Sequence, residues 1–469
     1  MQHCMSRILP ICDQFFNPEF CNQLAGKTGF VSRSSSLIKG HEFIKSLVIP
    51  SDGLSEDSLN GICLRMREFN PKANISASAL SQRINTVEAV NLMKSCAQYM
   101  LSITRGKLVK HFPCLDGILK AFNDVYIQDS TVIELNKHMA KYFKGTKRGG
   151  KKGGSTCKAQ VKIDLIHNFT TGLLEEAKIH HGKLPDQALS NSILKKVKKG
   201  DLIITDLGYF KLDKFVSINK KEAFFISRFP SHVKVYLDHE DEQAVDLSEY
   251  LMKHYPRTSV IDIQVWIGAE RLPMRLVAYR VPKAIENERR RKTKKAAKEM
   301  GRTTSKAKLD LLKFSLFITN APEELIPATN IGTIYRIRWE IELIFKQMKS
   351  LLKIHVLKGT SPHRIKVLIW ARICGVLILN IISSIYVNLA WDNFGVELSP
   401  TKLIQYLLRG NRLGNAIKQG KLAVLVKEMN RDLKRRLLKD KRNRSTMREK
   451  INNLEAYYEW SVYPEVINF

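Results

Sequence analysis

The chain has 469 residues, 44% of them hydrophobic and 26% charged, which excludes a disordered or fibrous protein and predicts two to four folded domains with a sizeable core. Lys and Arg number 77 against 45 Asp and Glu, a formal net charge of +32. So large a surplus opposes compaction unless a polyanion relieves it, so nucleic acid is the foremost expected partner and an anionic membrane surface the alternative.

The eight cysteines (Cys4, Cys12, Cys21, Cys63, Cys96, Cys114, Cys157 and Cys374) form no C-x-x-C pair and no zinc-finger spacing, so reduced thiols in a cytoplasmic setting are expected. The first ten residues hold no long apolar core behind Arg7, so no secretory leader is expected there.

Residues 1–115 are expected to form a helical N-terminal region that binds DNA. Within it, Ile75-Ser-Ala-Ser-Ala-Leu-Ser-Gln-Arg-Ile84 has two readings. It is either the second helix of a helix-turn-helix, with Gln82 and Arg83 reaching a groove, or a plain amphipathic helix. Strand patterning begins at Val125. Val125-Tyr-Ile-Gln-Asp-Ser130 is a short β-rich run ending in an acid, and Ala159–His167 with Gly172–His180 forms a hairpin pattern. The Gly-Lys segment Lys144–Gly154 lacks the Gly-Lys-Ser/Thr ending of a nucleotide-binding loop, and a flexible loop touching phosphate is expected. A helix is expected over Pro185–Val197. Leu202-Ile-Ile-Thr205 then has the character of a buried strand that delivers Asp206 at its carboxyl end. This order predicts an α/β core over 116–220.

Residues 221–325 are expected to form a β-rich insertion, with strands at Ala223–Phe229, Val233–Leu237, Ser259–Ile267, Met274–Val281 and Lys313–Thr319. Between its later strands lies a basic run with Arg289, Arg290, Arg291, Lys292, Lys294, Lys295 and Lys298. It is either a solvated charged face or a DNA-contacting one. The segment 326–390 is expected to close the core, with a long helix from about Ile331 to Leu352. The apolar stretch Val367–Ala390 contains Arg372, Asn380, Ser383 and Ser384, so it suits a buried core helix better than a membrane span. Residues 391–469 are expected to be helical and basic, ending in Lys434, Arg435, Arg436, Lys439, Lys441, Arg442 and Arg444.

The helix at 331–352 carries the strongest chemical signal. On an ideal wheel Tyr335, Arg338, Glu342 and Lys349 fall within roughly 60° of one another, beside an apolar stripe of Ile337, Ile341, Ile344, Met348, Leu351 and Leu352. Arg338 and Glu342 alone would make an ordinary i,i+4 pair. The spacing Tyr-x2-Arg-x3-Glu-x6-Lys, set in Tyr335-Arg-Ile-Arg-Trp-Glu-Ile-Glu-Leu-Ile-Phe-Lys-Gln-Met-Lys349, resembles the signature of DDE transposases of the insertion-sequence-four family. The likeness extends to Ile127-Gln-Asp-Ser-Thr131 and Thr205-Asp-Leu-Gly-Tyr-Phe210 and covers roughly residues 120–390.

The resemblance implies a ribonuclease H-like mixed-sheet core interrupted by the β-rich insertion and flanked by helical regions. It implies catalytic, metal-binding carboxylates at Asp129, Asp206 and Glu342, holding two Mg2+ ions with Mn2+ as a substitute. Three acids without His or Cys suit that hard cation. It implies cut-and-paste transposition with double-stranded DNA as partner, both the terminal inverted repeats and the target, and a homodimer in the synaptic complex. Tyr335, Arg338 and Lys349 are expected at the DNA end, with the basic run from Arg289 to Lys295 supplying further DNA contact. Trp266 and Trp339 are candidates for stacking on a flipped base, core packing being the alternative for each. A bacterial or archaeal cytoplasmic protein working at the nucleoid is expected, with no membrane contact. Two other readings stay open from sequence: a structure-specific nuclease on the same core, and a catalytically silent DNA-binding descendant.

Overall fold

The computed structural model describes residue 10 and residues 12–49 (except 34), 58–106, 117–148 and 156–440. The chain forms two compact units. One comprises the described parts of residues 1–113, 130–184 and 342–441, and the other those of 114–129 and 185–341.

In the first unit a helical stretch at 12–16 is followed, among the described residues, by α1 (Pro18–Lys27), α2 (Gly40–Val48), α3 (Leu59–Phe69), α4 (Ala77–Ile84) and α5 (Val87–Gly106). Asn17, Ser58 and Ser76 cap α1, α3 and α4 by accepting from first-turn amides, as short polar residues do at helix starts. In α4 Leu80 and Ile84 are fully buried and Gln82 is exposed. Arg83 is half-buried. Its guanidinium lies 5.7 Å from the Phe30 ring and donates to Ser36 Oγ at 3.4 Å.

Strand β1 (Val125–Leu135) is common to both units, and its later residues belong to the first. There it neighbours β3 (Thr156–Asn168), which pairs antiparallel with β2 (Lys144–Arg148) and with β4 (Leu173–His181). The β3–β4 hairpin is the one expected. Asn168 Oδ1 accepts from Thr171 N at 3.2 Å, and Gly172 takes φ +69°, which glycine supplies without steric cost. The Gly-Lys segment begins as strand β2 and not as a loop; residues 149–155 lie outside the described residues.

The core helix of this unit is α13 (Pro362–Phe394), following α12 (Trp339–Ser350). It is long and apolar enough to cross a membrane, yet 89% of its most apolar stretch is buried, against α5 and β4 among others. Asn380, Ser384 and Arg372 on it have internal partners, whereas the Ser383 hydroxyl and the Asn388 side-chain amide are buried without a hydrogen-bond partner among the described residues. Asn380 accepts from Leu174 N at 3.0 Å and donates to Gly172 O at 3.1 Å, while Arg372 donates to Lys353 O at 2.6 Å. Buried polar groups satisfied in this way belong to a protein core. Helices α14 (Pro400–Leu408), α15 (Arg412–Lys418) and α16 (Leu422–Asp432) complete the unit. Of the C-terminal basic run, Lys441, Arg442 and Arg444 lie outside the described residues.

The second unit is built on a mixed sheet. The start of β1 pairs parallel with β5 (Leu202–Thr205), and β5 pairs parallel with β6 (Phe224–Arg228). Antiparallel neighbours continue from β6 through β10 (Phe314–Thr319), β9 (Leu272–Arg280), β8 (Val260–Ile267) and β7 (Val235–Tyr236). With β1 between β3 and β5, and with β1, β5 and β6 parallel, the pairing is the ribonuclease H-like order. All five strands expected between 221 and 320 form, and the first of them, β6, is a parallel partner of β5.

The helix expected over 185–197 shortens to α6 (Asp186–Leu189) followed by a 3-10 turn, Ser190–Lys195. Gln128 Nε2 donates to the Leu189 carbonyl at 3.1 Å and Ser190 Oγ to the Gln187 carbonyl at 2.7 Å. Side chains that engage helix carbonyls in this way compete with helix continuation. Helix α7 (Leu212–Lys220) packs on β6, and α8 (Leu247–His254), α9 (Lys283–Glu299), α10 (Lys306–Leu311) and α11 (Ala328–Tyr335) belong to the same unit.

Candidate active site

Strand register assembles the site. In the parallel pair β1–β5, Gln128 stands opposite Thr205, so the next residue of each strand, Asp129 and Asp206, shares the following rung. In β5–β6, Thr205 stands opposite Ser227, which brings Arg228 to that same rung. Neighbouring strands lie about 4.8 Å apart, so two acids and one cation meet where β5 and β6 end; Asp129, expected at a strand end, instead lies within β1, which runs on to Leu135. Beneath them β5 is buried on both faces, as its Leu-Ile-Ile-Thr composition requires. Asp206 also caps the 3-10 turn Leu207–Tyr209, accepting from Gly208 N at 3.5 Å. The fully buried Lys214 of α7 donates to Thr205 Oγ1 at 3.1 Å, just behind Asp206.

The expected long helix is broken into three pieces. Helix α11 starts at Ala328 after Pro327 and ends at Tyr335; a 3-10 turn, Arg336–Arg338, follows, and α12 begins at Trp339. The backbone stays in the right-handed helical region throughout. A 3-10 turn winds about 120° per residue against about 100°, so three such residues rotate Tyr335 by roughly 60° relative to Glu342. The single polar stripe of the ideal wheel is therefore redistributed.

Tyr335 is buried, not open to a DNA end. Its hydroxyl donates to Asp206 Oδ1 at 3.2 Å, and its ring meets Phe317 edge-on with centroids 5.1 Å apart. Burial, and then the Asp206 charge, push the phenol's pKa well above its usual range, so it stays a donor at neutral pH. Helix α11 is pinned by the buried Tyr279, whose hydroxyl donates to Ala328 O and accepts from Gly332 N at 2.9 Å.

Arg338 spans the two acids. Its Nη1 lies 3.3 Å from Asp129 Oδ2 and its Nε 3.5 Å from Asp206 Oδ1. Two carboxylates on one rung repel each other unless a cation intervenes, and here the guanidinium does so. Arg228 adds a second cation nearby. Burial pulls its pKa down, and the neighbouring Tyr335 and Asp206 pull it back up. The acids offer only oxygen donors and are arranged around positive charge, so the residues fit a hard divalent cation.

Glu342 and Lys349 lie on α12, both half-buried and in the part of that helix belonging to the first unit. Among the described residues no group of three His, Cys, Asp or Glu stands close enough together to hold a metal ion, so the pair Asp129–Asp206 is what the structure brings together. Trp339 is 39% exposed next to Arg338, while Trp266 is half-buried in β8 opposite Tyr236 and Pro273. The basic run divides. Arg289 is buried and donates to Leu312 O, Phe314 O and Ser315 Oγ at 3.2, 3.0 and 2.8 Å, so it is a structural residue and not a DNA contact. Arg290 pairs with Glu286 at 2.9 Å and Asp310 at 3.1 Å, whereas Arg291, Lys292, Lys294 and Lys295 are exposed.

Sequence reasoning missed Arg228 and Lys214. The available signal for Arg228 was a cation closing a strand that follows the Asp206 strand through one short helix, the βαβ pattern that makes two strands parallel neighbours.

The family model described as the transposase DDE domain matches residues 120–379. The transposase for insertion sequence element IS231B of Bacillus thuringiensis subsp. berliner is 28% identical over 378 residues, covering 77% of this chain and 76% of that protein. The transposase for insertion sequence element IS1151 of Clostridium perfringens is 24% identical over 444 residues, 90% of each chain. Among solved structures, a piggyBac transposase synaptic complex with hairpin DNA aligns over 95% of this chain and 88% of its own, at 11% identity and a TM-score of 0.41.

Proposed function

The chain belongs to the transposase DDE-domain family and is a transposase of the insertion-sequence type, and from that premise we propose that it moves its element by cutting and pasting DNA. In this reading a strand is hydrolysed at each element end, and the freed 3′-hydroxyl attacks a phosphodiester of the target. Asp129, Asp206 and Glu342 would hold two divalent ions, Mg2+ in the first place, whose chemistry is to activate the attacking oxygen and stabilise the leaving one. Asp206 is aimed by the hydrogen bond it accepts from the Tyr335 hydroxyl. Arg338 balances the acid pair in the absence of DNA and, with Lys349, meets phosphates at the scissile end when DNA is present. The exposed Trp339 stacks on an unpaired base. A homodimer synapses the two inverted repeats, and the protein works in the cytoplasm at the nucleoid.

The observation that carries this proposal is the parallel register that stands Asp129 beside Asp206 with Arg338 between their carboxylates. The test is incubation with a duplex carrying one element end, a target plasmid and Mg2+. Covalently joined end–target product is expected. Cleavage with no joined product under any condition would reduce the protein to a nuclease.

A further inference from the structure

The division of the basic run leaves a surface that the catalytic site does not use. Helix α9 is anchored on its inner side by Arg289 to the chain at 312–315 and by Arg290 to Asp310. Two of its three acids are engaged: Glu286 is buried against Lys283 and Arg290, and Glu288 pairs with Lys292 at 2.9 Å, leaving the exposed Glu299 in the last turn. Arg291, Lys294, Lys295 and Lys298 remain, all exposed, and among the described residues none of them forms an ion pair. Their spacing is i, i+3, i+4 and i+7, which confines them to an arc of roughly 100° over a rise of about 10 Å.

We propose that this stripe of α9 is a rigid strut that grips the phosphate backbone of a DNA duplex, by charge and without reading bases. The inference rests on the reading that the chain acts on DNA. Four exposed cations on one anchored face, against a single exposed acid, Glu299, at its end, complement a polyanion that carries one charge per roughly 1.7 Å of axis. The anchoring matters. The buried guanidinium of Arg289 and the engaged carboxylates fix the helix, so the four outward charges are presented together and do not spread around a mobile rod. Element-end DNA and unrelated target DNA offer the same phosphates, and the experiment separates them.

The experiment compares the full chain with the variant Arg291→Gln, Lys294→Gln, Lys295→Gln, Lys298→Gln, and with the milder Lys294→Gln, Lys298→Gln pair. All anchoring residues stay in place, so thermal unfolding should match the parent. Binding is followed against salt on a duplex carrying the element end and on a random-sequence duplex of equal length. The log–log salt slope is expected to shrink by about 3.6 in the fourfold variant and about 1.8 in the double variant, at roughly 0.9 per phosphate contact. Shrinkage on both duplexes assigns the strut to DNA in general, including target; shrinkage on the end duplex alone assigns it to the element end. A slope change below about one on both duplexes, with the parent still binding DNA, would overturn the proposal and leave the transposase reading standing. So would unchanged slopes accompanied by lost binding to phosphatidylserine vesicles. Failure of the parent to bind any duplex would instead remove the reading on which the proposal rests.

Discussion

Replacing Arg338 with Gln tests the electrostatic heart of the site. The guanidinium contacts Asp129 at 3.3 Å and Asp206 at 3.5 Å. At an effective dielectric near 20, each contact is worth about 5 kcal/mol of gross attraction. Desolvation cancels much of that, and Asp206 is 34% exposed, which screens its share further. Arg228 stays behind as a partial counterion. A net loss of about 1–2 kcal/mol is therefore expected in metal-free protein at neutral pH, the residual cost of two carboxylates on one rung. For a unit of this size that corresponds to a fall of about 3–8 °C in the unfolding midpoint. The assay is scanning calorimetry of parent and variant in EDTA and again in millimolar Mg2+. The deficit should be present in EDTA and shrink in Mg2+, because a divalent cation restores the missing positive charge. Equal midpoints in EDTA, or a deficit indifferent to Mg2+, would refute the view that Arg338 neutralises the acid pair.

Two further outcomes follow from buried charges elsewhere. Arg289→Met should destabilise the protein by about 3 kcal/mol in urea unfolding, because it strands two main-chain carbonyls and a hydroxyl, whereas Lys294→Gln should stay within about 0.5 kcal/mol; equal effects would contradict the division of the basic run. Asp201 is buried, and burial pushes its pKa up to about 6 although Lys198 N donates to its Oδ2 at 2.7 Å. The folded state therefore holds a proton that the unfolded state has released between about pH 4 and 6, so this group costs stability as pH rises through that window. Asp201→Asn should raise stability at pH 7.5 by about 2 kcal/mol or less and flatten the pH dependence between 4 and 6, as followed by denaturant titrations across that range.

The legible parts of this protein were those encoded locally. The β5 strand is a short β-branched run closed by an acid, and the β3–β4 hairpin is bracketed by Asn168 and Gly172, so both could be read residue by residue. The Tyr335–Lys349 motif was legible as spacing. What spacing could not convey was the 3-10 turn at 336–338, which turns Tyr335 onto Asp206 and buries it. Wheel arguments assume uniform winding, and no residue in Arg-Ile-Arg announces a tighter turn. Arg228 escaped because its place depends on register between β5 and β6, a non-local property. The basic run misled for a different reason. Seven cations in ten residues suggest a uniformly solvated face, but helical geometry sends one of them, Arg289, into carbonyls of the neighbouring chain.

The central claim is that Asp129, Asp206 and Glu342 perform metal-dependent strand cleavage. Single-turnover cleavage of a duplex carrying one element end, at saturating protein and with Mg2+, addresses it most directly. Asp129→Asn, Asp206→Asn and Glu342→Gln each remove a ligand charge with little change of volume, so each should bind the duplex as the parent does and produce no nick. A parent-like cleavage rate in any one of the three would contradict the account.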